Sequence, residues 1–224
     1  MKAMLLAAGR GERLRPLTDS IPKALVEAGG KPLIAWHLER LARAGFREAV
    51  INISHLGERI VERLGDGARF GLRLSYSRER ERLETAGGIA NALGLLGREP
   101  FLLVNADIYC ECEFDRLRGV ALGKRLAHLV LVPNPPHRTA GDFSLAHGAV
   151  GMDPAPRYTY AGVAVMAPAL IDPVKPGEKA PLAPLLYDAA ACGRLGGELY
   201  EGPWQDVGTV ERLAELERLL RESR

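Results

Sequence analysis

Short apolar runs at Ala3 to Ala8, Ala49 to Ile53, Leu72 to Tyr76, Phe101 to Val104 and Leu129 to Val132 set the tightest limit on what this chain can fold into. Several are apolar throughout, the pattern of strands covered on both faces. Helical spacing lies between them. Pro32 suits a first helical turn, Ile34, Leu38, Leu41 and Ala42 then repeat at helical intervals, and Gly45 offers a stop. Leu56, Ile60 and Leu64 make a second short face. Such alternation predicts an α/β fold, a Rossmann-like three-layer sandwich with a mostly parallel mixed sheet between helices.

The pattern loosens after Val132. Pro133-Asn134-Pro135-Pro136, Gly141, Gly148, Gly151, Pro154 and Pro156 read as loops and a small irregular lobe, about 133–160, inserted in a single domain that spans 1–224. Order returns at Tyr160 to Met166. A helix from about Leu182 to Ala191, a short strand near Glu198 to Tyr200 and a last helix with Leu213, Leu216 and Leu220 follow.

Composition then narrows the function. With 224 residues and 47% hydrophobic content the chain can bury a sizeable core. A net charge of +2, from 30 basic and 28 acidic residues spread along the chain, leaves no tract suited to nucleic acid, so an anionic partner must be held locally. The run Arg78-Glu79-Arg80-Glu81-Arg82 reads as solvated, salt-laced surface. Charge returns at Arg10, leaving the first apolar run too short for a signal-peptide core or membrane span; a cytoplasmic protein with no membrane partner is expected. Cys110, Cys112 and Cys192 lack C-x-x-C spacing and clustered histidines, and free thiols are the expectation.

In open α/β sheets ligands bind beyond the carboxyl ends of the strands, so the loops there are where chemistry belongs. After the first strand, Gly9-Arg10-Gly11-Glu12-Arg13 runs on to Pro16-Leu17-Thr18 and Pro22-Lys23. Glycines let bare N–H groups approach an anion, and Arg13 and Lys23 could neutralise it. A dinucleotide fingerprint would want a third glycine where Leu14 stands, and a Walker loop would want G-K-[ST]; both are disfavoured. Asp107, just past the strand Phe101 to Val104, either caps a turn or holds a divalent metal. The loop Trp204-Gln205-Asp206-Val207-Gly208-Thr209 offers a second carboxylate, with Thr209 as a helix N-cap. Glu84-Thr85-Ala86-Gly87-Gly88 puts a glycine pair at a helix start, where a flat ring could lie on bare backbone or an ordinary turn could form.

In combination these loops resemble the sugar-1-phosphate nucleotidyltransferase family. LLAAGRGERLRPLTDSIPKALVEAGGKPLI matches its G-x-G-x-R, P-L-T, P-K and G-x-P-L signature, and LLVNADIY, LETAGGI and WQDVGT fall where that family has its metal aspartate, base loop and second acidic loop. The fold implied is the nucleotide-diphospho-sugar transferase fold. Within the family the chain is most similar to the branch acting on UTP and N-acetylmuramate α-1-phosphate in cell-wall recycling, through Gly11-Glu12-Arg13, Leu83-Glu84-Thr85, Gly141-Asp142-Phe143, Leu182-Ala183-Pro184-Leu185-Leu186 and Trp204 to Thr209.

That resemblance implies a set of roles. Ala8, Gly9, Gly11, Glu12 and Arg13 would bind the nucleotide, with Lys23 beside its α-phosphate and Thr85, Gly87 and Gly88 at the base. Arg13 and Lys23 would carry the catalysis, Asp107 and Asp206 would hold Mg2+, and Asn105, Gly141, Asp142 and Gly162 would line the sugar-phosphate side. Ala106 replaces the family's usual glycine, tolerable where φ is negative, and Tyr160-Ala161-Gly162 stands where many members have asparagine-threonine-glycine. One activity is expected, since Arg224 follows soon after the last helix, on a monomer or weak homo-oligomer. The rivals are a mannose-1-phosphate guanylyltransferase, a glucose-1-phosphate uridylyl- or thymidylyltransferase, a phosphocholine cytidylyltransferase, and a silent nucleotide-sugar sensor. A sensor would not need both metal carboxylates.

Overall fold

A computed structural model describes residues 1–154 and 156–222. In chain order the elements are β1 (Ala3–Leu6), α1 (Leu17–Ser20), β2 (Glu27–Ala28), β3 (Lys31–Pro32), α2 (Leu33–Arg43), β4 (Glu48–Ile53), α3 (Gly57–Leu64), β5 (Arg73–Arg78), α4 (Glu84–Leu96) and β6 (Phe101–Asn105). They continue as β7 (Ile108–Cys110), α5 (Phe114–Arg118), β8 (Ala127–Val132), β9 (Phe143–Ala146), β10 (Ala149–Gly151), β11 (Arg157–Met166), α6 (Ala183–Ala191), β12 (Leu195–Leu199), β13 (Trp204–Asp206) and α7 (Val210–Glu222).

The main sheet has the order β5-β4-β1-β6-β11-β8-β12-β10-β9. β5, β4, β1, β6, β8 and β12 point one way, and β11 is reversed between β6 and β8. Apolar runs make these strands because both faces are covered. On β1, Ala3 and Leu5 join a core with Ile34, Leu38 and Leu41 of α2, Ile60 and Leu64 of α3 and Phe114 and Leu117 of α5. Met4, one residue over, packs on the opposite face with Ile89 and Leu96 of α4 and Leu186 and Ala189 of α6. Period-two side chains feeding two separate cores are what a sheet between helical layers demands.

Three differences from the sequence reading matter for the site. The described residues of 133–160 are more ordered than glycine and proline content suggests, because β9, β10 and the start of β11 extend the main sheet. Asn134 stitches that segment, donating to the carbonyls of Thr139 and Arg157 and accepting from Thr159 Oγ1. Trp204–Asp206, read as loop, is a strand paired antiparallel to β7 with Asp206 opposite Ile108. Pro32 lies just before α2, whose first helical residue is Leu33.

A third cluster, Val26, Ala28, Leu33, Tyr109, Val207, Leu216 and Leu220, docks α7 against β2, the start of α2 and β7. The last helix thereby reaches the carboxyl end of the sheet. No helix among the described residues is long and apolar enough to cross a membrane.

Candidate active site

β1 ends at Leu6, and the amide of Ala7 donates to Asn52 Oδ1 at 2.8 Å, pinning the loop to the end of β4. Ala8 and Gly9 then line a cleft shared with Glu79, Thr85, Asn105 and Asp107. Nothing lies within 4 Å of where a Gly9 Cβ would sit, so its backbone is open to a ligand. Gly11 is different. Its φ of 66° needs glycine, and a Cβ there would meet Thr18 Cγ2 at 2.9 Å and Lys23 Cβ at 3.1 Å. Thr18 Oγ1 donates to the Gly11 carbonyl at 2.7 Å, which folds the loop back onto Lys23.

That fold-back delivers Lys23 to the end of β6. Its Nζ lies 2.5 Å from Asp107 Oδ2, with the lysine side chain 11% exposed. Residues far apart in the chain thus form one charge pair at the mouth of the cleft. Glu12 and Arg13 are exposed on a short 3-10 turn. Arg13 reaches across to the Asp206 loop, where its Nη2 is 3.0 Å from the position of a Gly208 Cβ.

The far end of the cleft corrects two expectations. Glu79 is not solvated surface but 6% exposed: Asn52 Nδ2 donates to its Oε1 at 2.7 Å and the Leu83 amide to its Oε2 at 3.0 Å. An alternating charge run hides it in sequence, and only its position before a cleft-lining helix gives it away. Gly87 and Gly88 do not present bare backbone on their Cβ sides. A Cβ at Gly87 would meet the Glu178 carbonyl at 2.1 Å, and one at Gly88 would meet Glu79 Oε1 at 2.7 Å. The glycines let segment 178–180 and the Glu79 carboxylate press onto α4, while Glu84 and Thr85 face the cleft. Glu84 sits at φ 61°, a strained value for a residue other than glycine and of the kind that gathers at functional sites.

On the other side Asn105 and Gly162 meet. β11 bulges between Tyr160 and Ala164, and Gly162, at φ 79°, leaves room for Asn105 Nδ2, which lies 2.7 Å from where a Cβ would be. Trp204 Nε1 donates to the Ala161 carbonyl at 2.9 Å, tying β13 to this bulge. Gly141, at φ 64°, packs on the backbone of Arg157 and Tyr158. Both oxygens of Asp142 accept bonds, from Arg138 Nη2 at 2.6 Å and the Tyr160 amide at 2.8 Å, so the side chain fastens the loop to β11. Ala106 avoids the left-handed region and is buried, as its methyl requires.

Asp107 and Asp206 sit on neighbouring strand ends, with the Val207 amide donating to the Asp107 carbonyl at 2.9 Å. Asp107 faces the cleft; Asp206 faces an adjoining hollow with His137 and Arg212. Among the described residues no cluster of three or more acidic, cysteine or histidine side chains could cage a metal. Two partly exposed carboxylates, 39% and 32%, fit a magnesium ion instead, because that ion keeps waters and takes substrate phosphates beside one or two carboxylates. Cys110, Cys112 and Cys192 are free thiols. Thr209 Oγ1 accepts from the Arg212 amide at 3.4 Å and caps α7.

Known proteins resemble this chain in sequence and in fold. Residues 2–145 match the model of the family described as Nucleotidyl transferase. The N-acetylmuramate alpha-1-phosphate uridylyltransferase of Neisseria meningitidis is 47% identical, covering 98% of each chain. The enzyme of the same name from Caulobacter vibrioides is 36% identical over 99% of this chain and 97% of its own. Among solved structures, HddC from Yersinia pseudotuberculosis complexed with GMP-PN superposes with a TM-score of 0.80 at 20% identity, covering 97% of this chain and 98% of the other, a likeness of fold. The chain belongs to the nucleotidyl transferase family, among its sugar-1-phosphate nucleotidyltransferases.

Proposed function

We propose that this chain joins UTP and N-acetylmuramate α-1-phosphate into UDP-N-acetylmuramate and pyrophosphate, in the cytoplasm, as a step of cell-wall recycling. The observation that carries the reading is the Lys23–Asp107 pair at the mouth of a cleft floored by Gly9, in a chain similar over its whole length to two enzymes of that name.

The reaction suits a site without a nucleophilic side chain. A phosphate oxygen of the sugar 1-phosphate forms a bond to the α-phosphorus of UTP, the α–β P–O bond breaks, and pyrophosphate leaves with the electron pair. The attacking phosphate is already an anion, so no general base is needed; alignment and charge neutralisation are. Lys23 would meet the α-phosphate, and the Gly9 amide, in a backbone with open space on its Cβ side, would offer a donor beside it. Arg13 supplies charge for the leaving pyrophosphate. Mg2+ held by Asp107 and Asp206 would supply further positive charge between the two polyanions. At the base end, Glu79 retains acceptor capacity for an imide N–H, which uracil has at N3 and cytosine lacks. Asn105, beside Gly162, would meet the sugar.

The test is pyrophosphate release across the four ribonucleotides with a panel of sugar 1-phosphates. UTP with N-acetylmuramate 1-phosphate is expected to outperform UTP with the N-acetylglucosamine analogue. Preference for mannose 1-phosphate with GTP, or for a glucose 1-phosphate, would assign a different branch; no turnover with any pair would mark a sensor.

A further inference from the structure

Arg212, on the first turn of α7, lies outside the signature loops, yet it sits at the centre of the second acidic loop. Its side chain is 12% exposed, and Nη1 donates to both oxygens of Asp206. The same Nη1 donates to His137 Nε2 at 2.9 Å, which brings in the loop ahead of Gly141. Glu215, also nearby, is engaged by Gln205 Nε2 at 2.9 Å, and Glu211 is close enough for its charge to interact with Arg212. Asp206 is the carboxylate that Arg212 bonds, with His137 Nε2 also 3.3 Å from its Oδ1.

Its other amino group points elsewhere. Arg212 Nη2 lies 2.5 Å and Arg13 Nη2 lies 3.0 Å from the position a Gly208 Cβ would take. Guanidinium groups from opposite ends of the chain thus converge over one glycine. Arg13 has no hydrogen-bond or ion-pair partner among the described residues. Like charges repel unless an anion lies between them, and paired guanidiniums are suited to the oxygens of a phosphate.

We infer that Arg212 is a phosphate-binding residue that shares the Asp206 carboxylate with the metal: a cation on Asp206 takes the oxygens Arg212 holds, and the released guanidinium joins Arg13 on the pyrophosphate portion of the nucleotide. This rests on the reading of Asp206 as a metal ligand. Gly208 is required because any side chain there would part the arginines. Competition for the same two oxygens makes the metal and Arg212 exclusive, and a phosphate held at Gly208 then links metal arrival to nucleotide grip.

Two binding measurements on the full chain test this without turnover. Pyrophosphate affinity is read by calorimetry at saturating Mg2+, and Mn2+ affinity without nucleotide by electron paramagnetic resonance. R212M is expected to weaken pyrophosphate by about tenfold or more, as loss of a charge-assisted pair should. It should also bind Mn2+ more tightly than the wild type, because a competing cation is gone; a merely structural tether would show the opposite. R212K should recover part of the pyrophosphate affinity. G208A displaces only flexible side-chain ends, so it should weaken pyrophosphate while thermal unfolding shifts by no more than about 2 °C. Pyrophosphate affinity within about twofold of wild type in both R212M and G208A, or weaker Mn2+ binding in R212M, overturns the inference. Neither measurement contains UTP, so a protein showing these effects but unable to use UTP overturns the substrate reading alone.

Discussion

Two side chains define the ends of the cleft, and each owes its character to the groups that face it. Lys23 is nearly buried, and Asp107 faces it at 2.5 Å. D107N should leave the far-ultraviolet circular dichroism unchanged and lower turnover on the order of a hundredfold, and R13A should do likewise, since each removes one preorganised charge. Turnover within a few-fold of wild type in either would remove that residue from the reaction. Glu79 is held by the Asn52 amide and the Leu83 N–H, both donors. E79Q must set its own NH2 against one of them, leaving a buried donor unmet at a cost of about 1–3 kcal/mol. Lower thermal stability together with a raised KM for UTP is the expected result. An unchanged KM would detach Glu79 from the base end.

Elements are positioned by close backbone approach as much as by apolar faces. The start of α4 receives segment 178–180, whose Ala180 carbonyl accepts from the Ala86 and Gly87 amides at 3.0 and 3.1 Å. A Cβ on Gly87 would lie 2.1 Å from a backbone oxygen, which cannot swing aside as a side-chain end can. G87A is therefore expected to lower stability by about 2 kcal/mol in urea unfolding, within the range of overpacked sites; no loss would mean that the segment moves freely. The strands and long helices were legible in sequence because burial on one or both faces imposes a period. β7, β13, β9 and β10 were not. Each is three or four residues long, too short to show a period, and each is defined by its partner strand.

At the level of the whole molecule, His37 couples acidity to stability through the strand that follows Asp107. It is fully buried on α2, its Nε2–H donates to the Ile108 carbonyl at 2.7 Å, and its ring stacks on Phe114. Burial, the largest influence, lowers its pKa from 6.5 to about 4. The unfolded chain therefore takes the proton first as pH falls. Stability is full above about pH 6.5 and is lost progressively down to about pH 4, by about 3 kcal/mol for this group. Urea unfolding of wild type and H37Q at pH 7, 5.5 and 4 should show a steeper loss in the wild type. Parallel curves would mean that His37 does not govern the acid limb.

Read alone, the sequence determined the layered α/β fold, the carboxyl-end loops and the residue types for anions and a metal, because apolar period and glycine-rich signatures are local. Tertiary structure decided which groups meet. Lys23 reaches Asp107 through the fold-back at Gly11, Glu79 leaves a charged run for the interior, and Arg212 arrives from the last helix to face Asp206 and Arg13. Charge pairing and burial fall off over a few ångströms of space, and spacing along a chain carries no record of that distance.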